Sequence, residues 1–254
     1  MSSIHQVQLG KVVVTTHVIT TVEQLDQSLR ELLWLTAQHE GLKRVVALDI
    51  DKHYSPSAST KYTEKVATLT LCCGNSCLII QLLQMDSLYA SCYISEFLQL
   101  HQLTFVGLRI QHSLEALDRD YGIKCRNAVE LSRILGSNDG KKWLLEGYGL
   151  FDLACKAANM HAFMGVNESR QIYNAANLTD WGATTLSKRQ IKSATMRAYL
   201  CFYVSNYLYG GYCKRFRFWD RGYDDYYNKS RCLQFIDYLA CWIWVIVSVW
   251  FCMF

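Results

Sequence analysis

FVGLRIQHSLEAL, residues 105–117, changes character halfway along. Its first half belongs to TFVGLRI (104–110), a short apolar run of the kind that forms a buried strand. Its second half opens QHSLEALDRDYGI (111–123), whose apolar spacing is helical and which Gly122 stops. A buried strand feeding a helix is half of a β–α unit, and such units build sheets covered by helices.

Working upstream, KVVVTTHVIT (11–20) predicts a strand, and TVEQLDQSLRELLWLTAQHEG (21–41) a helix. Thr21 is placed to cap that helix, with Leu25, Leu29, Leu32, Leu33 and Leu35 mostly on one face and Gly41 ending it. RVVALDID (44–51) is a short apolar run ending in acids, and SPSASTKYTEK (55–65) is polar and turn-rich around Pro56, the sole proline. VATLTLCCGNSCLIIQLL (66–83) predicts a hairpin turning at Gly74-Asn75, and DSLYASCYISEFLQL (86–100) a helix. Downstream, KCRNAVELSRILG (124–136) reads as a short strand and a helix. GLFDLACKAANMHAFMG (149–165) and LSKRQIKSATMRAYLCFYVSNYLYGG (186–211) read as longer helices. In the last, Leu186, Ile191, Ala194, Ala198 and Cys201 form a buried stripe. The fold class is α/β, a mixed sheet covered on both sides by helices.

The 254 residues are 51% hydrophobic and 19% charged, enough for a sizeable core and against wholesale disorder. A net charge of +4 permits an anionic partner without demanding one. The 11 cysteines follow no regular framework. The N-terminal stretch has no cationic start followed by an apolar run, so an intracellular setting with free thiols is expected. Cys72, Cys73 and Cys77 lack the second ligand pair that a zinc site would want and read as buried thiols on two strands.

Two stretches depart from the α/β pattern. Residues 211–237 alternate aromatic and charged side chains, as in YCKRFRFWDRGYDDYYNKSR (212–231), and 238–254, YLACWIWVIVSVWFCMF, carry no charge. As a helix the latter spans about 25 Å at 1.5 Å per residue, short of a hydrocarbon core of about 30 Å. It reads as a tail anchor in an internal membrane, with packing on protein as the competing reading and non-selected sequence as a third. The chain thus divides into a domain over 1–210, a connector over 211–237 and a hydrophobic segment over 238–254.

Five stretches, VVALDID, VATLTLCCGNSCLIIQLL, FVGLRIQHSLEALDRDYGI, GLFDLACKAA and DWGATTLSKRQIKSATMRAY, stand in one order and at one set of separations. Together they resemble the Werner-type, RNase D-like branch of the DEDD 3'-5' exonucleases, plant-type small paralogues in particular. The resemblance covers residues 10–210 and implies a ribonuclease H-like fold. It also implies two divalent ions, Mg or Mn, held by four acids for phosphodiester hydrolysis, and a tyrosine that orients water.

Matched residue by residue, Asp49 stands at the first acid and Asp51 at the second, where the family has glutamate. Ser113 stands at the third acid, Arg197 at the fourth and Ser193 at the tyrosine. Glu115 cannot substitute for the third acid, because two residues on a helix turn it about 200° away. Arg197 is expected to pair with Asp49 or Asp51. No catalytic set is intact, Asp49 and Asp51 are at most a weak metal site, and no cofactor is expected unless residual activity uses Mg or Mn.

The function this implies is a degenerate exonuclease-like domain acting by binding. Its ligand is nucleic acid, with Lys188, Arg189 and Lys192 toward the phosphates, or a protein such as an active paralogue. A homo-oligomer and, through 238–254, a membrane are further partners the sequence admits, and the cytoplasm or nucleus the compartments. Two alternatives stay open: an active exonuclease with a reduced metal site, and a membrane-tethered interaction or toxicity factor.

Overall fold

A computed structural model describes residues 3–38, 44–55, 62–85, 87–132, 150 and 179–208. The chain separates into a unit spanning Met1–Gly211 and a second spanning Tyr212–Phe254, the latter outside the described residues. The connector and hydrophobic segment read from the sequence therefore lie outside the description, as do Gly41, Pro56 and most of 149–165. Among the described residues no helix is long and apolar enough to cross a membrane.

The described part is one seven-stranded sheet with helices against it. Strands β1 (Ser3–Leu9) and β2 (Val12–Ile19) form an antiparallel ribbon, followed by α1 (Val22–Ala37). Strands β3 (Arg44–Ser55), β4 (Thr63–Cys73) and β5 (Ser76–Gln81) form an antiparallel meander. A 3-10 turn (Leu82–Gln84) and α2 (Ser87–Leu98) lead to β6 (Leu103–Gly107), then α3 (Ile110–Tyr121) and β7 (Ala128–Glu130). Helix α4 (Lys188–Leu208) closes the described domain. The strand order is β1-β2-β5-β4-β3-β6-β7, with β2–β5, β3–β6 and β6–β7 parallel and the other pairs antiparallel.

Strand β3 lies between β4 and β6, so its side chains project from the middle of the sheet on both faces. Every residue of β4 from Val66 to Cys73 is buried, which requires cover on both sides. Helix α4 packs across β3, β4, β5 and β6, while α1 and α3 also pack against β3 and β4. Apart from half-buried Tyr203, α4 is buried from Ser193 through Ser205, so it is a core helix rather than a surface one. Thr195 on it meets Thr16 of β2 at 2.9 Å in a fully buried hydroxyl pair.

The mixed sheet covered by helices is as the sequence implied. Thr21 caps α1 by accepting the Gln24 N–H, and the β4–β5 turn falls at Gly74-Asn75. Cys72, Cys73 and Cys77 form no disulfide and are buried on β4 and β5. Leu186, Ile191, Ala194, Ala198 and Cys201 are all buried.

Four local expectations need correction. Residues 3–9 are a strand, where the sequence pattern marks none. The exposed face holds Ile4, Gln6 and Gln8, and the other face is apolar only at Val7 and Leu9, so no apolar alternation shows. The polar run 55–65 is not all turn, because Ser55 and Thr63–Lys65 belong to β3 and β4, whose ribbon runs past the rest of the sheet. The buried face of α1 recruits Ser28 and Thr36, while Leu33 and Leu35 are only half-buried. Finally, TFVGLRI is strand only to Gly107. Arg109 takes a left-handed conformation, φ 54°, and its N–H and that of Ile110 donate to the Glu130 carboxylate at 2.9 Å each. The last residue of β7 therefore caps α3 and turns the chain before Ile110 can extend the strand.

Candidate functional site

Alternation along β3 sets Asp49, Asp51 and His53 on one face. The neighbouring β4 supplies Thr68, directly opposite Asp51. Just beyond, the register slips by one residue, so that Lys52 faces Val66. The backbone that this bulge frees is taken by α3: Val66 N–H donates to Asp120 Oδ2 at 2.7 Å, and Tyr121 Oη donates to Val66 O at 2.7 Å. The bulge begins where the acidic pair ends.

Across this face lies α4, with Ser193 and Arg197 one turn apart. Arg197 Nε donates to Asp49 Oδ2 at 2.6 Å, and its Nη2 lies 2.5 Å from both carboxylate oxygens of Asp51. Its Nη1 donates to Ser193 Oγ at 3.2 Å. Thr68 Oγ1 adds a bond to Asp51 Oδ2 at 3.4 Å. The side chains of Arg197 and Asp51 are 7% and 8% exposed, that of Asp49 21%. The pairing expected from the sequence is present, and it engages both acids.

With both acids ionised, the cluster holds two negative charges against one positive charge. Burial pushes the Asp51 carboxyl up to about 6; Arg197 opposes the rise and the neighbouring charge of Asp49 adds to it. Burial works against the Arg197 charge, but the attraction of Asp49 and Asp51 outweighs it and holds the guanidinium protonated.

The roof of the cluster is the loop before α4. Trp181 is buried, and the Arg197 guanidinium carbon lies 5.6 Å from its ring centroid. The loop is fastened at several points. His53 Nδ1 meets Asp180 Oδ1 at 2.7 Å, and Gly182 N–H donates to the same oxygen at 2.8 Å. Gln81 donates to Ala183 O, Gln84 to Gly182 O and Gln190 to Asp180 O, at 3.0, 3.1 and 2.8 Å. A Cβ at 182 would lie 2.5 Å from His53 Nδ1, so a side chain there would have to displace the His53 ring.

Ser113 is buried on the first turn of α3, and its N–H donates to Arg109 O. Among the described residues no hydrogen bond joins its hydroxyl to the cluster. Lys188 and Arg189 are exposed on the first turn of α4, and Lys192 is half-buried.

The residues present do not fit a pair of divalent ions. Such ions need several anionic oxygens, and here the two carboxylates already serve a guanidinium that would repel a cation at contact distance. The positions flanking them are neutral hydroxyls. Among the described residues no group of three or more His, Cys, Asp or Glu side chains is gathered to hold a metal.

Sequence reasoning missed His53, Asp180, Thr68 and the three glutamines. His53 was within reach, since it stands two residues beyond Asp51 on the same strand face. The glutamines bond to backbone carbonyls across more than ninety residues in two of the three cases, and no local pattern marks them.

Solved structures share this architecture. Escherichia coli RNase D superposes with a TM-score of 0.57 at 16% identity, over 75% of this chain and 43% of that one. Trypanosoma brucei RNase D gives 0.58 at 16% identity, over 76% and 64%. The Aedes aegypti Nibbler EXO domain gives 0.56 at 9% identity, over 80% and 90%. The chain thus spans less than two thirds of either RNase D. No protein-family model and no curated protein sequence matches it. By its sheet order, its flanking helices and these superpositions, the described domain has the α/β ribonuclease H-like fold that these exonuclease structures share.

Proposed function

We propose that this domain binds nucleic acid and does not cut it. The observation that carries this reading is the Arg197 guanidinium bonded to both Asp49 and Asp51, where cutting would need cations and free carboxylates. Lys188 and Arg189 support a nucleic-acid ligand. They stand in the first turn of α4, which has no acid, although the helix dipole disfavours cations there. An anion arriving from outside removes that conflict. Trypanosoma brucei RNase D, which shares the fold, has been solved in complex with RNA.

A second reading, a protein partner such as an active paralogue, is favoured by a separate observation. Trp34 on α1 and Leu88 and Tyr89 on α2 are 63%, 69% and 61% exposed, and these two helices pack together. Large exposed apolar and aromatic side chains are the material of protein interfaces. The setting proposed for either role is intracellular, cytoplasmic or nuclear, with 238–254 as a tether to an internal membrane.

Fluorescence anisotropy of the full chain with labelled 3'-overhang DNA and RNA, in a chelator, tests the first reading. We expect binding that weakens when Lys188, Arg189 and Lys192 are replaced by alanine, with a salt slope shallower by about one for each phosphate no longer neutralised. Equal, weak binding by both proteins would reject it.

A further inference from the structure

We infer that Arg197 is a built-in counter-ion that keeps a latent divalent-cation site shut, so that the native chain takes no such ion at Asp49 and Asp51 and loss of this one side chain opens the site. The inference rests on the non-cutting reading and adds what holds the cluster together in place of a metal.

Geometry carries it. A guanidinium fixed by one carboxylate alone would be an ordinary ion pair. This one is held by Asp49 through Nε and by Asp51 through Nη2, with Ser193 on Nη1, so each of its three nitrogens has a partner within the cluster. The charge therefore sits between the two acids, where an oxygen-seeking cation would bridge them. Trp181 covers the guanidinium, and the fastened 180–183 loop holds the tryptophan down. Without the guanidinium, two carboxylates would face each other in a largely buried place with the hydroxyls of Ser193 and Thr68 beside them. Two carboxylates with neutral oxygens and water suit one hard divalent ion, though not a catalytic pair.

The replacement has a direction. An internal cation comes with the chain, is always protonated and needs no supply from solution. The two acids then have their counter-ion in chelator as well as in metal, and the domain's stability does not depend on divalent ions. The same guanidinium bars them, because an incoming ion would meet a fixed positive charge at contact range.

The experiment is thermal unfolding of the full chain with EDTA or with Mn²⁺, for the native protein, Arg197→Met, Arg197→Gln, and Arg197→Met combined with Asp51→Asn. Mn²⁺ binding is followed in parallel by electron paramagnetic resonance. The native protein is expected to melt at the same temperature in both conditions and to leave Mn²⁺ free. Arg197→Met and Arg197→Gln are expected to bind one Mn²⁺ and to gain about 3–6 °C when the ion is tenfold above half-saturation. The added Asp51→Asn change should abolish that gain. If the Arg197 variants are insoluble, recovery on refolding with Mn²⁺ but not with EDTA supports the inference, and recovery with neither overturns it. Failure of both variants to bind Mn²⁺ overturns the inference alone. Mn²⁺ binding by the native protein that Asp49→Asn removes overturns the inference and the non-cutting reading together.

Discussion

Arg197 Nη2 lies 2.5 Å from both carboxylate oxygens of Asp51, across 146 positions of sequence and with both side chains nearly fully buried. A strand residue and a helix residue so far apart meet because α4 lies across the face of β3 that carries the acids. Breaking a buried pair from one side costs more than its formation gains, since the remaining charge has no water. Arg197→Ala leaves two carboxylates unpaired, so we expect a loss of about 3 to 5 kcal/mol. Urea unfolding at neutral pH measures it. Arg197→Lys is expected to recover only part, because one ammonium cannot reproduce the spread of the guanidinium nitrogens.

The same cluster predicts a pH dependence with an unusual sign. The Asp51 carboxyl is raised to about 6 in the folded protein, above its ordinary value of 3.8. Between those values the folded state holds a proton that the unfolded state has released. The contribution is therefore fully present below the unfolded value and is lost as pH rises through the folded one. The shift corresponds to at most about 3 kcal/mol. Glu64, Asp120 and Asp180 are lowered in the folded state, by hydrogen bonds to Lys52, Arg119 and Gly182 among others, so their losses fall at more acidic pH. Unfolding free energy measured from pH 4.5 to 7 should decline more steeply in the native protein than in Asp51→Asn. Equal slopes would show that Asp51 does not titrate there.

His53 and Asp180 fasten the loop over Arg197, but Asp180 is 63% exposed, so the pair itself contributes little to global stability. We expect His53→Ala to cost under about 1 kcal/mol globally. Amide exchange should instead quicken in 180–186 while β3 and β4 stay protected. Gly182→Ala, whose Cβ would meet the His53 ring, should show the same local pattern with a larger global loss.

How much of this was legible depends on the range of the signal. Thr21, the Gly74-Asn75 turn and the Gly122 stop act within a few residues, and the sequence marks each of them. The meeting of Arg197 with the acids was legible through resemblance alone, because nothing local to either segment encodes a separation of 148 positions. Strand β1 was not legible: an edge strand with one exposed face needs only Val7 and Leu9 buried, and two apolar residues make no pattern. The end of β6 was hidden for another reason. Leu108, Arg109 and Ile110 suit a strand, and it is Glu130, twenty residues on, that captures the N–H of Ile110.

The uncharged stretch 238–254 predicts behaviour of the full chain. Seventeen such residues do not stay in water without a partner surface. Deleting 232–254 should move the protein from the membrane fraction to the soluble fraction. Unchanged fractionation of a soluble, monomeric full-length chain would contradict the tether.

The non-cutting reading proposed above places Arg197 where cutting would need cations. Its most direct test is nucleotide release from 3'-overhang and single-stranded DNA and RNA by the purified full chain, with Mg²⁺ or Mn²⁺ and with EDTA. We predict release no faster with metal than with EDTA, and no difference between the native protein and Asp49→Ala. Metal-dependent release by the native protein that Asp49→Ala abolishes would contradict it.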